Sequence, residues 1–145
     1  MPLIRIVHTA DVAPYEAWRR LTDWERHGAQ VPFTVTFLTT APPTAVGTRF
    51  TARTGFGRLS FDDPMEVVAW RPPAAGAPGH VRLEKHGRLV LGWAEIEVRP
   101  APAGGSEVHW REELRVRGLP RLLDAPLALA GRALFGRALG RLLAG

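Results

Sequence analysis

The sequence predicts a single α+β domain spanning residues 1–145. It is built from one strand, two short helices, about six further strands and a long closing helix. Three observations lead there. Short runs with a hydrophobic period of two recur from Leu3 to Arg117, divided by Gly/Pro clusters. Helical spacing occurs only in Asp11–Gln30 and after Gly118. No linker or shift in composition splits the 145 residues into two cores.

Leu3–Thr9 alternates, placing Ile4, Ile6 and His8 on one face and Arg5 and Val7 on the other. In Asp11–Gln30, Tyr15, Trp18, Leu21 and Trp24 recur at roughly helical spacing, with Asp11 a candidate cap ahead of Pro14. Gly28 and Pro32 argue for two short helices instead of one long one. Phe33-Thr-Val-Thr-Phe-Leu38 is rich in β-formers and ends at Ala41-Pro-Pro-Thr44. Gly47–Thr54 alternates until Gly55-Phe-Gly57 interrupts it, and Pro64–Trp70 forms another short strand before Pro72-Pro73. After the small-residue loop Ala74–Gly79, Val81–Gly87 and Leu89–Arg99 make two strands around Gly87-Arg88. Pro100–Gly105 is a turn. Glu107–Arg117 then has Val108, Trp110, Leu114 and Val116 on its apolar side. Leu119–Ala144 is helical in composition; Pro126 either kinks it or marks its start, and Gly131, Gly136 and Gly140 make it dependent on tertiary support.

An apolar fraction of 46% with 23% charged residues, five Trp and six Phe suits a globular chain with a sizeable core. The absence of cysteine excludes disulfides, cysteine-ligated zinc, iron–sulfur clusters and a cysteine nucleophile. No run of ~18 uncharged apolar residues occurs, so no integral membrane association is expected. Met1–His8 lacks the pattern of a signal peptide, and the expected location is cytoplasmic. The net charge of +5 comes almost wholly from arginine, Lys85 being the single lysine, and the arginines are scattered from Arg5 to Arg141. Without a dense basic block, nucleic-acid binding is not expected. Ser60 and Ser106 are the only serines and neither lies in a Gly-x-Ser-x-Gly elbow. No His-Glu-x-x-His or clustered His/carboxylate spacing occurs, so the expected metal set is none and no cofactor is implied. Gly55-Phe-Gly57-Arg-Leu-Ser60 lacks a dinucleotide fingerprint's third glycine and runs into Asp62-Asp63-Pro64 instead of a helix.

With the elements in this order, four segments carry a resemblance. They are Trp18-Arg-Arg-Leu-Thr-Asp23, Val46-Gly-Thr-Arg-Phe50, Trp70-Arg-Pro-Pro73 and Gly104-Gly-Ser-Glu-Val-His-Trp110. Together they resemble the START-like, or SRPBCC, superfamily, the helix-grip fold of polyketide cyclase/dehydrase-like and lipid-transfer proteins. The resemblance covers nearly the whole chain. It departs where the family usually has Thr after the late glycine pair, since Ser106 stands there. It implies a curved antiparallel sheet gripping the C-terminal helix, with an apolar cavity between them and the first and last strands paired. Its members include ligand carriers, hormone and quinone binders and aromatase/cyclases, so the fold by itself implies no single chemistry.

Within that frame Glu112 is the leading polar candidate, because it shares the strand face of Trp110 and Leu114 while Glu113 points out. A carboxyl on an apolar face has its pKa raised toward the general acid–base range; the alternative is a solvated or arginine-paired residue at the sheet end. His8 is the second catalytic candidate, approaching Glu112 if the first and last strands pair; the alternative is a structural histidine. Lys85 alternates with Val81 and Leu83 and so faces inward to orient a ligand, unless the nearby Gly87 turn leaves it exposed. Phe50, Ile96, Trp110, Leu127 and Leu134 are the expected pocket walls. Leu91 and Trp93 fall on the opposite, convex face and mark a candidate homodimer contact. The expected function is binding or carriage of a small hydrophobic molecule: a lipid, polyketide or other secondary metabolite. The alternatives are a polyketide cyclase/dehydratase-type enzyme and a protein-interaction module with a filled core.

Overall fold

Seven antiparallel strands form one curved sheet in the order β1-β7-β6-β5-β4-β3-β2, and three helices pack on its concave face. The computed structural model describes residues 3–144. Along the chain these are β1 (Leu3–Ala10), α1 (Pro14–Leu21), α2 (Trp24–Ala29), β2 (Thr34–Leu38), β3 (Arg49–Phe56) and β4 (Leu59–Arg71). Then come β5 (Gly79–Lys85), β6 (Val90–Pro100), β7 (Ser106–Val116), a 3-10 turn (Arg121–Leu123) and α3 (Asp124–Ala144). The first and last strands do pair, and β1 against β7 completes the side of the sheet that carries α3.

Three local expectations need correction. Asp11 does not cap α1: the cap position is Ala13, with no side-chain hydrogen bond, and Pro14 opens the helix. The break between α1 and α2 lies at Thr22-Asp23, where the Asp23 carboxylate accepts from the Arg26 N–H at 3.4 Å. Gly28 is not a breaker; it sits inside α2, where a Cβ would come within 2.6 Å of the Thr36 backbone nitrogen. Its missing side chain lets α2 lie directly on β2.

β4 is also longer than Pro64–Trp70, running through Asp62-Asp63-Pro64 back to Leu59. β5 ends at Lys85, opposite Met65. From Asp63 back to Leu59 the ladder continues with β3 alone; Pro64 sits where β5 ends, its carbonyl accepting from the His86 N–H at 2.8 Å and its missing N–H falling where that ladder stops.

The core lies between the concave sheet face and the helices, with Trp18, Leu21, Val67, Val81, Ile96 and Leu139 among its buried residues. Arg20 ties α1 to the end of α3, donating to the Leu143 carbonyl at 2.5 Å while also pairing with Glu16. Ser106, fully buried, donates its hydroxyl to the Val12 carbonyl, a role open to either hydroxyl residue. Pro126 falls in the first turn of α3 and marks its start instead of kinking it. Among the described residues no helix is long and apolar enough to cross a membrane.

Candidate functional site

A cavity of about 450 Å³ lies between the sheet, α2 and α3. Strand alternation builds its floor. Phe50, Ala52 and Thr54 of β3 lie opposite Met65, Asp63 and Phe61 of β4, so one face of this hairpin lines the void. Trp110, Glu112 and Leu114 of β7 continue the lining, and Leu134 and Phe135 of α3 roof it. Aromatic rings dominate: Trp24 stacks on Phe50 at 4.6 Å between centroids, and Trp110 stacks on Phe135 at 5.7 Å.

One pole of this apolar space is charged. Lys85 Nζ donates to Asp63 Oδ2 at 2.7 Å and stands 3.4 Å from Glu112 Oε1, with its side chain 5% exposed. Burial alone would lower the Lys85 pKa, yet the Glu112 and Asp63 carboxylates outweigh it and hold the ammonium above its usual value. For Glu112 burial is the leading cause of a raised pKa, with Asp63 adding to it and Lys85 opposing it. Glu112 Oε2 and Asp63 Oδ1 are buried without a hydrogen-bond partner. Trp110 Nε1, on the same wall, likewise has no partner at hydrogen-bonding geometry.

His27 is the fourth titratable group at the cavity. Its ring lies between Trp24 and Trp110, with centroid distances of 5.8 and 5.7 Å. Nε2–H donates to the Leu21 carbonyl, which assigns the tautomer, since a carbonyl can only accept. Burial, partly offset by that hydrogen bond, lowers the His27 pKa from 6.5 to about 4. As pH falls, the unfolded chain therefore takes up this proton first. The stabilisation is complete above about 6.5 and lost progressively toward about 4. Over that window the loss through His27 amounts to ~3 kcal/mol. Urea-unfolding midpoints at pH 7 and pH 4 should fall much less for His27→Gln than for the wild type. Equal falls would show that His27 titrates as it does in the unfolded chain.

The residues singled out from sequence divide as follows. Phe50, Lys85, Trp110, Glu112 and Leu134 border the cavity. Ile96 does not; it is wholly buried in the solid core. Leu127 does not either; it lies at the start of α3, and the helix reaches the cavity only from Leu134 onward. His8 and Glu112 do not meet. On β1 the partner of Glu112 is Ile4, whereas His8 lies opposite Val108, four residues or ~13 Å along the strand. His8 instead sits under α3, where a Cβ on Gly140 would lie 3.4 Å from its Nε2, and its Nδ1 is buried without a partner. On the convex face Trp93 is half-buried, with Arg82 stacked over its ring at 4.6 Å and its Nε1 donating to Glu113 at 2.8 Å. Leu91 is half-buried too.

Asp63 and His27 escaped the sequence reading. Counting by twos from Met65 puts Asp63 on the lining face, but a strand read from Pro64 leaves Asp63 outside it. His27 follows Trp24 by three residues and shares its helix face.

No protein-family model and no curated protein sequence matches the chain. Solved structures do match in fold. A protein of Staphylococcus aureus, SA2116, described as of unknown function, aligns with TM-score 0.71 at 9% identity, over 97% of this chain and 92% of that one. TTHA0849 from Thermus thermophilus aligns with TM-score 0.70 at 15% identity, over 99% and 98%. Ara h 8.0201 aligns with TM-score 0.64 at 13% identity, again over 99% and 98%. Identities this low speak for fold alone. The seven-stranded antiparallel sheet closed by a long C-terminal helix, shared over nearly the full length of these chains, is a helix-grip fold.

Proposed function

We propose that the protein binds or carries a small, largely apolar molecule in the cavity beneath α3, and that it does so in the cytoplasm. The observation that carries this reading is the cavity itself: about 450 Å³, within the ~300–1,000 Å³ range of small-molecule sites, and walled mainly by aromatic and aliphatic side chains. Phe50, Trp110 and Leu134 would contact the body of the ligand, and Lys85 and Glu112 its polar end. A protein-interaction module with a filled core is the reading this volume supports least.

Native mass spectrometry of freshly purified protein, followed by organic extraction, tests the proposal. A bound lipid, polyketide or other metabolite is expected, together with displacement of the neutral fluorophore N-phenyl-1-naphthylamine. Leu134→Trp, which fills the cavity, should weaken binding of that fluorophore at least tenfold. An unliganded protein that also fails to bind the fluorophore would end the proposal. The same spectra report whether two copies pair, and loss of the dimer in Trp93→Arg would assign the pairing to the Leu91/Trp93 face.

A second reading, a cyclase/dehydratase-type enzyme, is favoured by one observation: a buried carboxyl of raised pKa, Glu112, beside a cationic lysine. His8 is too far along β1 to share that role. In this case the ligands extracted from wild type and from Glu112→Gln should differ by one water; identical ligands would leave the carrier reading.

A further inference from the structure

We infer that the charged pole of the cavity selects a ligand whose polar end donates hydrogen bonds, a hydroxyl or amine head on an aromatic body, and rejects a carboxylate head. The inference deepens the ligand-binding proposal and rests on it.

The first ground is charge. Asp63, Lys85 and Glu112 are the charged residues among those bordering the cavity, and with all three ionised they sum to −1. His27 brings no compensating cation, since its ring is held neutral near pH 7. The single ammonium is already shared between two carboxylates, with the Met65 sulfur 3.7 Å from Nζ as a further contact. An anionic head would have to compete for Lys85 with both of them in a desolvated site, where like charges repel strongly.

The second ground is unmet valence. A carboxylate only accepts hydrogen bonds; Asp63 Oδ1 has no donor, and Glu112 Oε2 has only the Trp110 indole N–H near it, short of good hydrogen-bonding geometry. Glu112 has a side-chain exposure of 3%, so bulk water does not satisfy it. Leaving a buried acceptor unpaired costs ~1–3 kcal/mol, which a donor on the ligand would recover. Terminal carboxyl torsions occupy broad wells, so a modest rotation turns either oxygen toward the void.

The third ground is shape. Trp24, Phe50, Trp110 and Phe135 form stacked pairs along the walls, suited to a flat ring system.

Competition against bound N-phenyl-1-naphthylamine tests the inference with four ligands of one shape: 2-naphthol, 2-naphthylmethylamine, 2-methylnaphthalene and 2-naphthoate. At neutral pH the naphthol and the amine are expected to displace the fluorophore at concentrations at least tenfold below the naphthoate, and below the methyl compound. Glu112→Gln replaces the acceptor with an amide and leaves Lys85 paired with Asp63; it should reduce the preference for the amine over the naphthoate severalfold. Tightest binding of naphthoate would show that Lys85 reads an anion and would overturn the inference. Equal displacement by all four would overturn it too while leaving the cavity a ligand site. Failure of the fluorophore to bind a protein that also carries no extractable ligand would remove both readings.

Discussion

Lys85→Met is expected to destabilise the protein by about 3–5 kcal/mol at pH 7, the usual consequence of removing one partner from a buried ionic cluster. The physical cause is what remains. Asp63 and Glu112 would face the same apolar space without the cation that lies 2.7 and 3.4 Å from them. Methionine matches the lysine stem in bulk, so lost packing contributes little. The loss should shrink as pH falls. A carboxyl whose folded pKa stands above its unfolded one adds stability below the unfolded value and loses it as pH rises through the folded one. Glu112 is already displaced in that direction in the wild type, and removing Lys85 takes away the influence that opposes it. Urea unfolding at pH 7 and pH 5 measures both effects. The triple replacement Lys85→Met, Asp63→Asn, Glu112→Gln should recover much of the stability, since neutral groups are not penalised as unpaired charges are. A loss below about 1 kcal/mol for the single variant would mean that both carboxylates are hydrated, in the range of surface pairs.

Gly92→Ala is expected to cost about 3 kcal/mol or more. Gly92 lies in β6 with φ +128°, a backbone conformation that side-chain-bearing residues rarely adopt, and such strain costs ~1–3 kcal/mol. A Cβ there would also stand 1.8 Å from the Glu113 carbonyl oxygen, so β6 and β7 would have to separate, adding ~1–3 kcal/mol. Glu112 immediately precedes Glu113, so the displaced strand carries the charged pole with it. Gly118→Ala is the matched control: φ is +84°, but nothing lies within 4 Å of the new Cβ. It should show the strain alone. Thermal or urea unfolding of both variants separates the two contributions; equal losses would mean that β7 yields without cost.

The order of elements was readable from local signals because each rests on near neighbours in sequence. Alternation marks Leu3–Thr9 and Glu107–Arg117, and Pro14 marks a helix start. Errors arose where a local signal was overridden at a distance. Pro64 looks like the start of a strand, yet Asp62 and Asp63 belong to β4 because β3 supplies a continuous partner there. Gly28 looks like a helix breaker, but its lack of a side chain serves the contact with β2.

For the site, alternation alone placed Glu112, Trp110, Lys85 and Phe50 on the concave face, since the period of two assigns sides. It could not say which inward residues meet, because that depends on register. Pairing Glu112 with Ile4 separates it from His8, and the adjacency of β4 and β5 sets Asp63 and Lys85 side by side. The sequence by itself therefore determined the elements and the face each side chain takes, through local stereochemistry. Tertiary structure decided which of those inward residues line the void and which, like Ile96, fill the solid core. It also set two carboxylates around one ammonium, because strand register and helix placement are set by contacts between residues far apart in the chain.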